Sequence, residues 1–374
     1  MRLLIISHTE HYTNSDGVIV GWGATITEIN HLATIFDEIY HIATHLEGDP
    51  PPSSLPYLSD NIHFVPIPFT GGVNLMDKLD IIWNAPKTIN LVFKYLKKVD
   101  IFQLRAPTGI GVYFIPILTL FSRKKGWYKY AGNWNQKNPP FGYALQRWFL
   151  KKQSRKVTIN GKWEDQQEHC ITFENPCLTS KDLNKGNDIQ KNKDFKFPYI
   201  YCFAGRLEDQ KGVARIIEAF SGLSKEQKKY VKEVHLIGSG EKLKHYQDLA
   251  SRSEVNFVFH AFLPQNEVFE IFKKSHFFLL PSSASEGFPK VIAEALNFGC
   301  IPIVSNVSAI GQYINNKNGY IVDPNTSEKL GSIIEEINNE NNYTALNSKR
   351  NPQDIIPLFS YEYYLERIQN EIQV

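Results

Sequence analysis

Long hydrophobic runs are missing from this chain. Its longest apolar stretch, Gly109 to Phe121, is 13 residues, short of the ~20 that a membrane-spanning helix needs, and it reads as a buried helix. The N-terminal Arg2-Leu3-Leu4-Ile5-Ile6-Ser7 is a strand pattern without the apolar region and cleavage site of a secretory signal. Cysteine is scarce. Cys170, Cys177, Cys202 and Cys300 are the only four, and none sits at metal-ligand spacing. They read as reduced core or surface thiols of a cytoplasmic protein. The sequence also has no Asp-x-Asp motif and no His/Cys/carboxylate cluster at ligand spacing, so no metal and no cofactor is expected. The third glycine of a dinucleotide fingerprint does not follow Gly21 and Gly23. No nucleophile–base set stands out, and no groove-reading motif points to nucleic acid.

What is present suits a two-domain enzyme-sized protein. The 374 residues are 42% hydrophobic, enough for sizeable cores. Short β-like runs alternate with helical ones, which argues for parallel sheets flanked by helices. In the second half the strands read Tyr199–Phe203, Val234–Ile237, Val255–Phe259, Phe277–Leu280, Ile301–Val304 and Tyr320–Val322. Helices fall between them at Val213–Leu223, Asn266–Lys274, Val291–Phe298 and Ser327–Ile337. The first half reads less cleanly: strand Arg2–Ser7, a loop at Gly21-Trp22-Gly23, a helix near Thr25–Phe36, and strands at Glu38–Ala43, Ile62–Pro66, Asp100–Leu104 and Lys156–Asn160. The polar stretch Lys181 to Lys196 reads as a solvated linker.

Charge is unevenly spread, although the net is only +2. Residues 87–156 hold fifteen Lys and Arg against the single acid Asp100, a surplus of fourteen. Aromatics are interleaved there: Trp127, Tyr128, Tyr130, Trp134, Phe141, Tyr143, Trp148 and Phe149. The region reads either as a solvated basic face or as a surface for anionic lipid headgroups or a lipid-diphosphate acceptor. The second reading would add peripheral contact with an inner membrane surface.

The richest chemistry lies in Ser285-Glu286-Gly287-Phe288-Pro289-Lys290-Val291-Ile292-Ala293-Glu294-Ala295-Leu296. The order is strand, tight loop, helix. Pro289 suits the first helical turn, and the free N–H groups of the loop and helix start make an anion site. Glu286 and Glu294 are left over for sugar hydroxyls. Taken singly, each acid could equally be a solvated or dipole-stabilised surface residue. About 80 residues upstream, Ala204-Gly205-Arg206-Leu207-Glu208-Asp209-Gln210-Lys211-Gly212 sets an Arg and a Lys in one strand-to-helix loop. There both can face one phosphate site.

These two linked segments, with Gly299-Cys300-Ile301-Pro302-Ile303-Val304 and Asn318-Gly319-Tyr320-Ile321-Val322, resemble the retaining glycosyltransferases of family four, also called group 1. The resemblance implies an α/β GT-B fold, with two Rossmann-like domains facing a central cleft. It places an acceptor-side domain at residues 1–178, a nucleotide-sugar domain at 179–357, and a C-terminal helix at 358–374 returning to the first domain. It implies a retaining hexosyltransferase that moves a sugar from a nucleotide-diphosphate donor to a polysaccharide or lipid-linked acceptor. Arg206 and Lys211 would bind the diphosphate. Glu286 would contact the transferred sugar beside the N–H groups of Gly287, Phe288, Lys290 and Val291. Glu294 would hold the ribose. Gly238, in a Gly-Ser-Gly turn, and Gly23, in the first-domain loop, would flank the donor. Catalytic weight falls on Arg206, Lys211 and Glu286.

One departure stands out. Where many relatives have a His, this chain has Arg105, which cannot act as a base near neutral pH; it would instead contact phosphate or an anionic acceptor. Two rivals therefore stay open. One is a nucleotide-sugar epimerase or hydrolase on the same fold, and the other is a non-catalytic binding module.

Overall fold

A computed structural model of the chain describes residues 1–69, 75–339, 346, 349, 352 and 354–373. The chain divides into two compact units. Unit 1 comprises Met1–Glu174 and Tyr364–Val374, and unit 2 comprises Asn175–Tyr363.

Unit 1 is built on strands β1 (Arg2–Thr13), β2 (Ile19–Trp22), β3 (Glu38–His45), β4 (Ser54–Pro56), β5 (Ile62–Ile67), β6 (Ile101–Ala106), β7 (Lys125–Tyr130), β8 (Val157–Ile159) and β9 (Cys170–Thr172). The parallel order is β5-β3-β1-β6-β7-β8-β9. Parallel strands are covered on both faces and so read as continuous apolar runs; Leu3, Leu4, Ile5 and Ile6 are all fully buried. β1 runs past the sheet's edge, where His11–Thr13 pair antiparallel with β2, and β2 pairs with β4. Its pairing with β3 shifts register between Ile6 and Glu10. Helices α1 (Gly23–Leu32), α2 (Leu75–Leu96), α3 (Gly111–Phe121) and α4 (Phe141–Lys151) belong to this unit. The expected loop at Gly21-Trp22-Gly23 is not a loop: Gly21 and Trp22 end β2, and α1 starts at Gly23. Pairing with β1 and β4 extends the segment, which local Gly content alone had suggested to be irregular.

Unit 2 holds β10 (Tyr199–Ala204), β11 (Val231–Ile237), β12 (Phe257–His260), β13 (Phe277–Leu280), β14 (Ile301–Ser305) and β15 (Tyr320–Val322). They form an all-parallel sheet in the order β12-β11-β10-β13-β14-β15. This is the doubly wound Rossmann order, whose strand sequence reverses between β10 and β13. The helices are α5 (Ser180–Asn192), α6 (Val213–Gly222), α7 (Lys225–Lys228), α8 (Leu243–Ala250), α9 (Gln265–Lys274), α10 (Lys290–Asn297), α11 (Ile310–Tyr313) and α12 (Ser327–Asn339). The stretch expected to be a solvated linker is largely α5. A capping box between Thr179 and Asp182 starts this helix. Asn297 donates to Asp182 O at 2.9 Å, and Gln190 donates to Asn297 O at 2.8 Å, docking α5 on α10. A polar composition concealed a helix whose order comes from capping and tertiary hydrogen bonds. The last helix, α13 (Tyr361–Arg367), continues as a wider π turn over Ile368–Ile372, and from Tyr364 onward its residues belong to unit 1.

The basic stretch 87–156 does not form one face. Lys129 and Arg105 turn inward to a single carboxylate, Glu28, at 2.7 Å each. Tyr364 donates its hydroxyl to the same carboxylate at 2.7 Å, so the acid also ties the returning helix into unit 1. Arg155 donates to Lys124 O at 2.8 Å and to Ser122 O at 2.5 Å, and Arg147 to Trp134 O at 2.6 Å. Trp127, Tyr128, Tyr130 and Trp134, read above as part of a surface, are buried. The exposed remainder includes Leu120, Phe121, Phe141, Tyr143 and Trp148, with Lys87, Lys94, Lys97, Lys98, Arg123, Lys125, Lys137, Lys152 and Lys156 also exposed.

Removing a partner from a buried ion cluster strands the charges left behind. Glu28→Ala is expected to lower stability by about 3–5 kcal/mol in urea denaturation. Arg123→Ala on the exposed face should stay within about 0.5 kcal/mol.

Candidate active site

In doubly wound sheets, ligands bind beyond the carboxyl ends of the strands where strand order reverses. In unit 2 that point lies beyond β10 and β13, and the two segments singled out above follow these strands. After β10 the chain passes Gly205 and Arg206 into a short 3-10 turn, Asp209–Lys211. It then takes a left-handed step at Gly212 (φ +87°) into α6. A Cβ at Gly212 would lie 2.3 Å from Pro281 O. Only glycine therefore permits both this φ and the contact with the loop after β13. The loops are then laced together. Ser283 N donates to Gln210 O at 2.7 Å, Ser282 Oγ to Gln210 O at 3.1 Å, and Arg215 Nη2 to Pro281 O at 2.8 Å. Asn325 Nδ2 donates to Pro281 O at 3.2 Å and to Ser282 O at 3.1 Å.

This lacing brings Lys211 and Glu286 together as an ion pair. Lys211 is 13% exposed and Glu286 is 37% exposed, so the pair is open on the carboxylate side. Arg206 is 74% exposed, held only by Glu208 at 3.1 Å, and its fork is available to a ligand. Gly238 belongs to the neighbouring turn after β11. With φ +137°, its Cβ position would lie 2.0 Å from Gly205 O, so the turns after β10 and β11 pack backbone to backbone.

Past Glu286, Gly287 and Phe288 lead to Pro289, and α10 begins at Lys290. The first N–H groups of a helix have no intrahelical acceptor, so the starts at Lys290 and Val291 add positive potential to the site. Phe288 contributes its backbone only. Its ring is buried, stacked on Phe359 at 4.7 Å and edge-on to Tyr313 at 4.8 Å. Glu294, a turn into α10, accepts from Gln265 Nε2 at 2.7 Å. Burial pushes its carboxyl up to about 6, against the pull of the Gln265 hydrogen bond and of Lys290.

Two residues assigned by sequence lie in unit 1. Gly23 opens α1 and donates its N–H to Ser53 O at 3.0 Å. Arg105 is largely buried and held by protein partners: besides Glu28, it donates to Gln103 Oε1 at 2.9 Å and to Thr25 Oγ1 at 3.3 Å. An arginine beside a buried acid is taken up by that acid, and nothing in the sequence around Arg105 points to Glu28. The sequence reading also missed Gln210, Arg215, Asn325 and Gln265. Arg215 carried a local signal, standing one helical turn after Lys211 on α6; the others carried none. Among the described residues there is no group of three or more His, Cys, Asp or Glu able to hold a metal ion, and no helix is long and apolar enough to cross a membrane.

Comparison with known proteins fits this geometry. Residues 184–352 match the model of the family described as glycosyl transferases group 1. An uncharacterized glycosyltransferase of Haemophilus influenzae is 29% identical over 172 residues, 45% of this chain and 46% of that protein. Another from Methanocaldococcus jannaschii is 28% identical over 159 residues, 42% of this chain and 40% of that protein. The matches thus span less than half the length of these curated relatives. The crystal structure of Anabaena HepE in complex with UDP-glucose superimposes with a TM-score of 0.68 at 14% identity, over 100% of this chain and 99% of that one. Likeness of this extent identifies the fold as GT-B.

Ionising a buried carboxyl costs stability, so the sign for Glu294 is set by its upward shift. The folded state holds its proton up to about pH 6, whereas an ordinary Glu releases it near 4.5. The proton linkage thus stabilises the fold fully below about 4.5 and fades as pH rises through 6. Glu294→Gln is therefore expected to raise stability by about 1–2 kcal/mol at pH 8. The gain should shrink as pH falls from 6 toward 4.5, as read from denaturation midpoints at each pH.

Proposed function

We propose that this chain, whose residues 184–352 match the model of the glycosyl transferases group 1, is a glycosyltransferase that moves a sugar from a nucleoside diphosphate sugar to a glycan or lipid-linked acceptor with retention of configuration. One observation carries the reading. At the strand reversal of unit 2, Lys211 from the loop after β10 meets Glu286 from the loop after β13, beside an exposed Arg206 and the start of α10.

Each group then has a task. A diphosphate carries charges that Lys211, as a point charge, and Arg206, as a planar fork, can both meet. To reach Lys211, the diphosphate displaces the Glu286 carboxylate. The freed carboxylate can accept hydrogen bonds from hydroxyls of the transferred sugar, so donor binding itself prepares the sugar contact. As the bond from sugar C1 to the leaving phosphate breaks, charge grows on the phosphate oxygen. Preorganised cations and helix N–H groups stabilise it without reorganising. The acceptor oxygen forms its bond to C1 on the same face, and its proton passes to the leaving phosphate. The half-buried Glu294 carboxylate, oriented by Gln265, would take the ribose hydroxyls. No divalent ion is required in this scheme, because Lys211, Arg206 and the helix start supply the positive charge. UDP is the first nucleotide to test, since HepE structures contain UDP and UDP-glucose.

The acceptor side belongs to unit 1 in this reading. Its exposed Leu120 and Phe121 on α3, and Phe141 and Trp148 on α4, lie on elements that also expose Arg123, Lys125 and Lys152 or adjoin them. Aromatic anchors among cations suit an anionic membrane surface.

Thermal stabilisation by a panel of nucleotides and nucleotide sugars, with and without EDTA, tests the donor site. A ligand at ~100 times its Kd adds roughly 2.7 kcal/mol. The expected result is a shift with one nucleoside diphosphate family that EDTA leaves unchanged and Lys211→Ala abolishes. No shift with any nucleotide would overturn the reading, and donor turnover without any acceptor would favour an epimerase or hydrolase. Flotation with vesicles tests the second element: binding to anionic vesicles at low salt, weakened in the Phe141→Ala/Trp148→Ala double variant, is expected. Absence of binding at low salt would remove the membrane contact.

A further inference from the structure

The strand reversal of unit 1 holds a cavity. The neighbours of β1 are β3 on one side and β6 on the other, so the reversal falls at the carboxyl end of β1. There, a pocket of about 320 Å³ is lined by His8, Glu10, Tyr12, Trp22, Ser53 and Ser54, among others. That size is at the small end of the ~300–1,000 Å³ typical of small-molecule sites. The register shift of β1 against β3 between Ile6 and Glu10 lies in the lining segment. Such irregularities re-aim side chains beside functional sites.

We propose that this pocket is a binding subsite for an uncharged or amino pyranose, a sugar ring of the acceptor. The proposal rests on the glycosyltransferase reading above and gives its acceptor a chemical class. Trp22 leaves 57% of its surface open at the pocket rim, with Tyr12 beside it. An indole face in that position offers a flat apolar platform to the C–H face of a pyranose ring. Glu10, hydrogen-bonded by Tyr12 Oη at 3.2 Å, and the hydroxyls of Ser53 and Ser54 supply acceptors and donors for ring hydroxyls. Among the described residues His8 Nε2 is buried with no hydrogen-bond partner, an unused hydrogen-bonding atom of the kind that calls for an explanation. Burial lowers the His8 pKa below its usual value, despite the opposing pull of Glu10, so the ring is neutral at physiological pH.

Among the described residues, the pocket lining contains one carboxylate, that of Glu10, and no Lys or Arg. A phosphate or uronate placed there would meet a carboxylate with nothing to offset it, which is why an uncharged or amino sugar is preferred. The wall behind the pocket is stiff. Ser7 Oγ bonds His41 Nε2 at 2.8 Å, and Tyr57 Oη bonds both His41 Nδ1 at 2.7 Å and His11 Nε2 at 2.8 Å. β1 is thereby held in place before any sugar arrives, which lowers the ordering cost of binding.

The test is ligand-observed NMR titration of the full chain with methyl glycosides of glucose, galactose and N-acetylglucosamine, and with glucuronate and glucose 6-phosphate as anionic counterparts. At least one neutral glycoside is expected to bind. Trp22→Ala should weaken it about tenfold, with Trp22→Phe restoring much of the loss. Lys211→Ala should leave it unchanged. The anionic sugars should bind about tenfold more weakly, and Glu10→Gln should narrow that gap. The proposal is overturned if no neutral glycoside binds, if binding is indifferent to Trp22→Ala, or if anionic sugars bind as well as neutral ones. Nucleotide-induced stabilisation that persists while glycoside binding fails would sink this subsite alone. Glycoside binding at Trp22 without any nucleotide shift would sink the transferase reading instead.

Discussion

The close approach of Gly212 to Pro281 is the constraint on which the candidate donor site depends. A parallel sheet whose strand order reverses opens a crevice beyond the reversal, but a crevice alone positions no side chains. Here the loop after β10 must take a left-handed step and pass against a carbonyl with no room for a Cβ. Once it does, hydrogen bonds from Ser283, Arg215 and Asn325 close the two loops on each other. Lys211 and Glu286, distant in sequence, become partners as a consequence. Both sit on backbone tied by those hydrogen bonds at the carboxyl ends of β10 and β13.

Unit 1 is organised by a different electrostatic logic. A carboxylate as buried as Glu28 is costly unless its oxygens are fully used. Arg105, Lys129 and Tyr364 use them from β6, β7 and the returning helix. The arrangement makes the chain's last residues part of the first unit's interior. It also draws part of the basic surplus of residues 87–156 inward. Arg105 and Lys129 satisfy Glu28, Arg155 satisfies carbonyls at the end of α3, and the aromatics of β7 pack inward, while lysines such as Lys97, Lys98 and Lys152 stay exposed. The polar groups near the carboxyl end of β1 form another internal chain, through Ser7, His41, Tyr57 and His11. It supports the pocket without lining it.

Elements with strong local signals were legible in the sequence. β13 and β15 match their expected bounds, and β10, β14, α6, α9 and α10 agree within a residue at either end. Apolar runs bounded by turn residues leave little choice there. α5 was not legible, because its apolar content is low and its order derives from a capping box and from Asn297 on another helix. Nor was β7, whose Lys-Gly-Trp-Tyr-Lys-Tyr reads equally as a basic aromatic surface until β6 and β8 are placed on either side of it. The antiparallel extension of β1 is a short hairpin with β2, but its continuation into β4 depends on pairing between Val20 and Pro56 and between Trp22 and Ser54, which no local pattern encodes.

For the site, the sequence by itself determined the chemistry available: an Arg and a Lys in one strand-to-helix loop, two acids around a helix start, and glycines where backbone must pass backbone. These follow from residue type and short spacing, which covalent geometry carries directly into space. Only the tertiary structure decided which of those groups meet and which stay open to solvent. It paired Lys211 with Glu286, turned the Phe288 ring into the core, committed Arg105 to Glu28, and opened a pocket beside Trp22. The reason is physical: a charge or a ring takes the nearest partner that repays its desolvation, and that partner usually comes from a distant part of the chain.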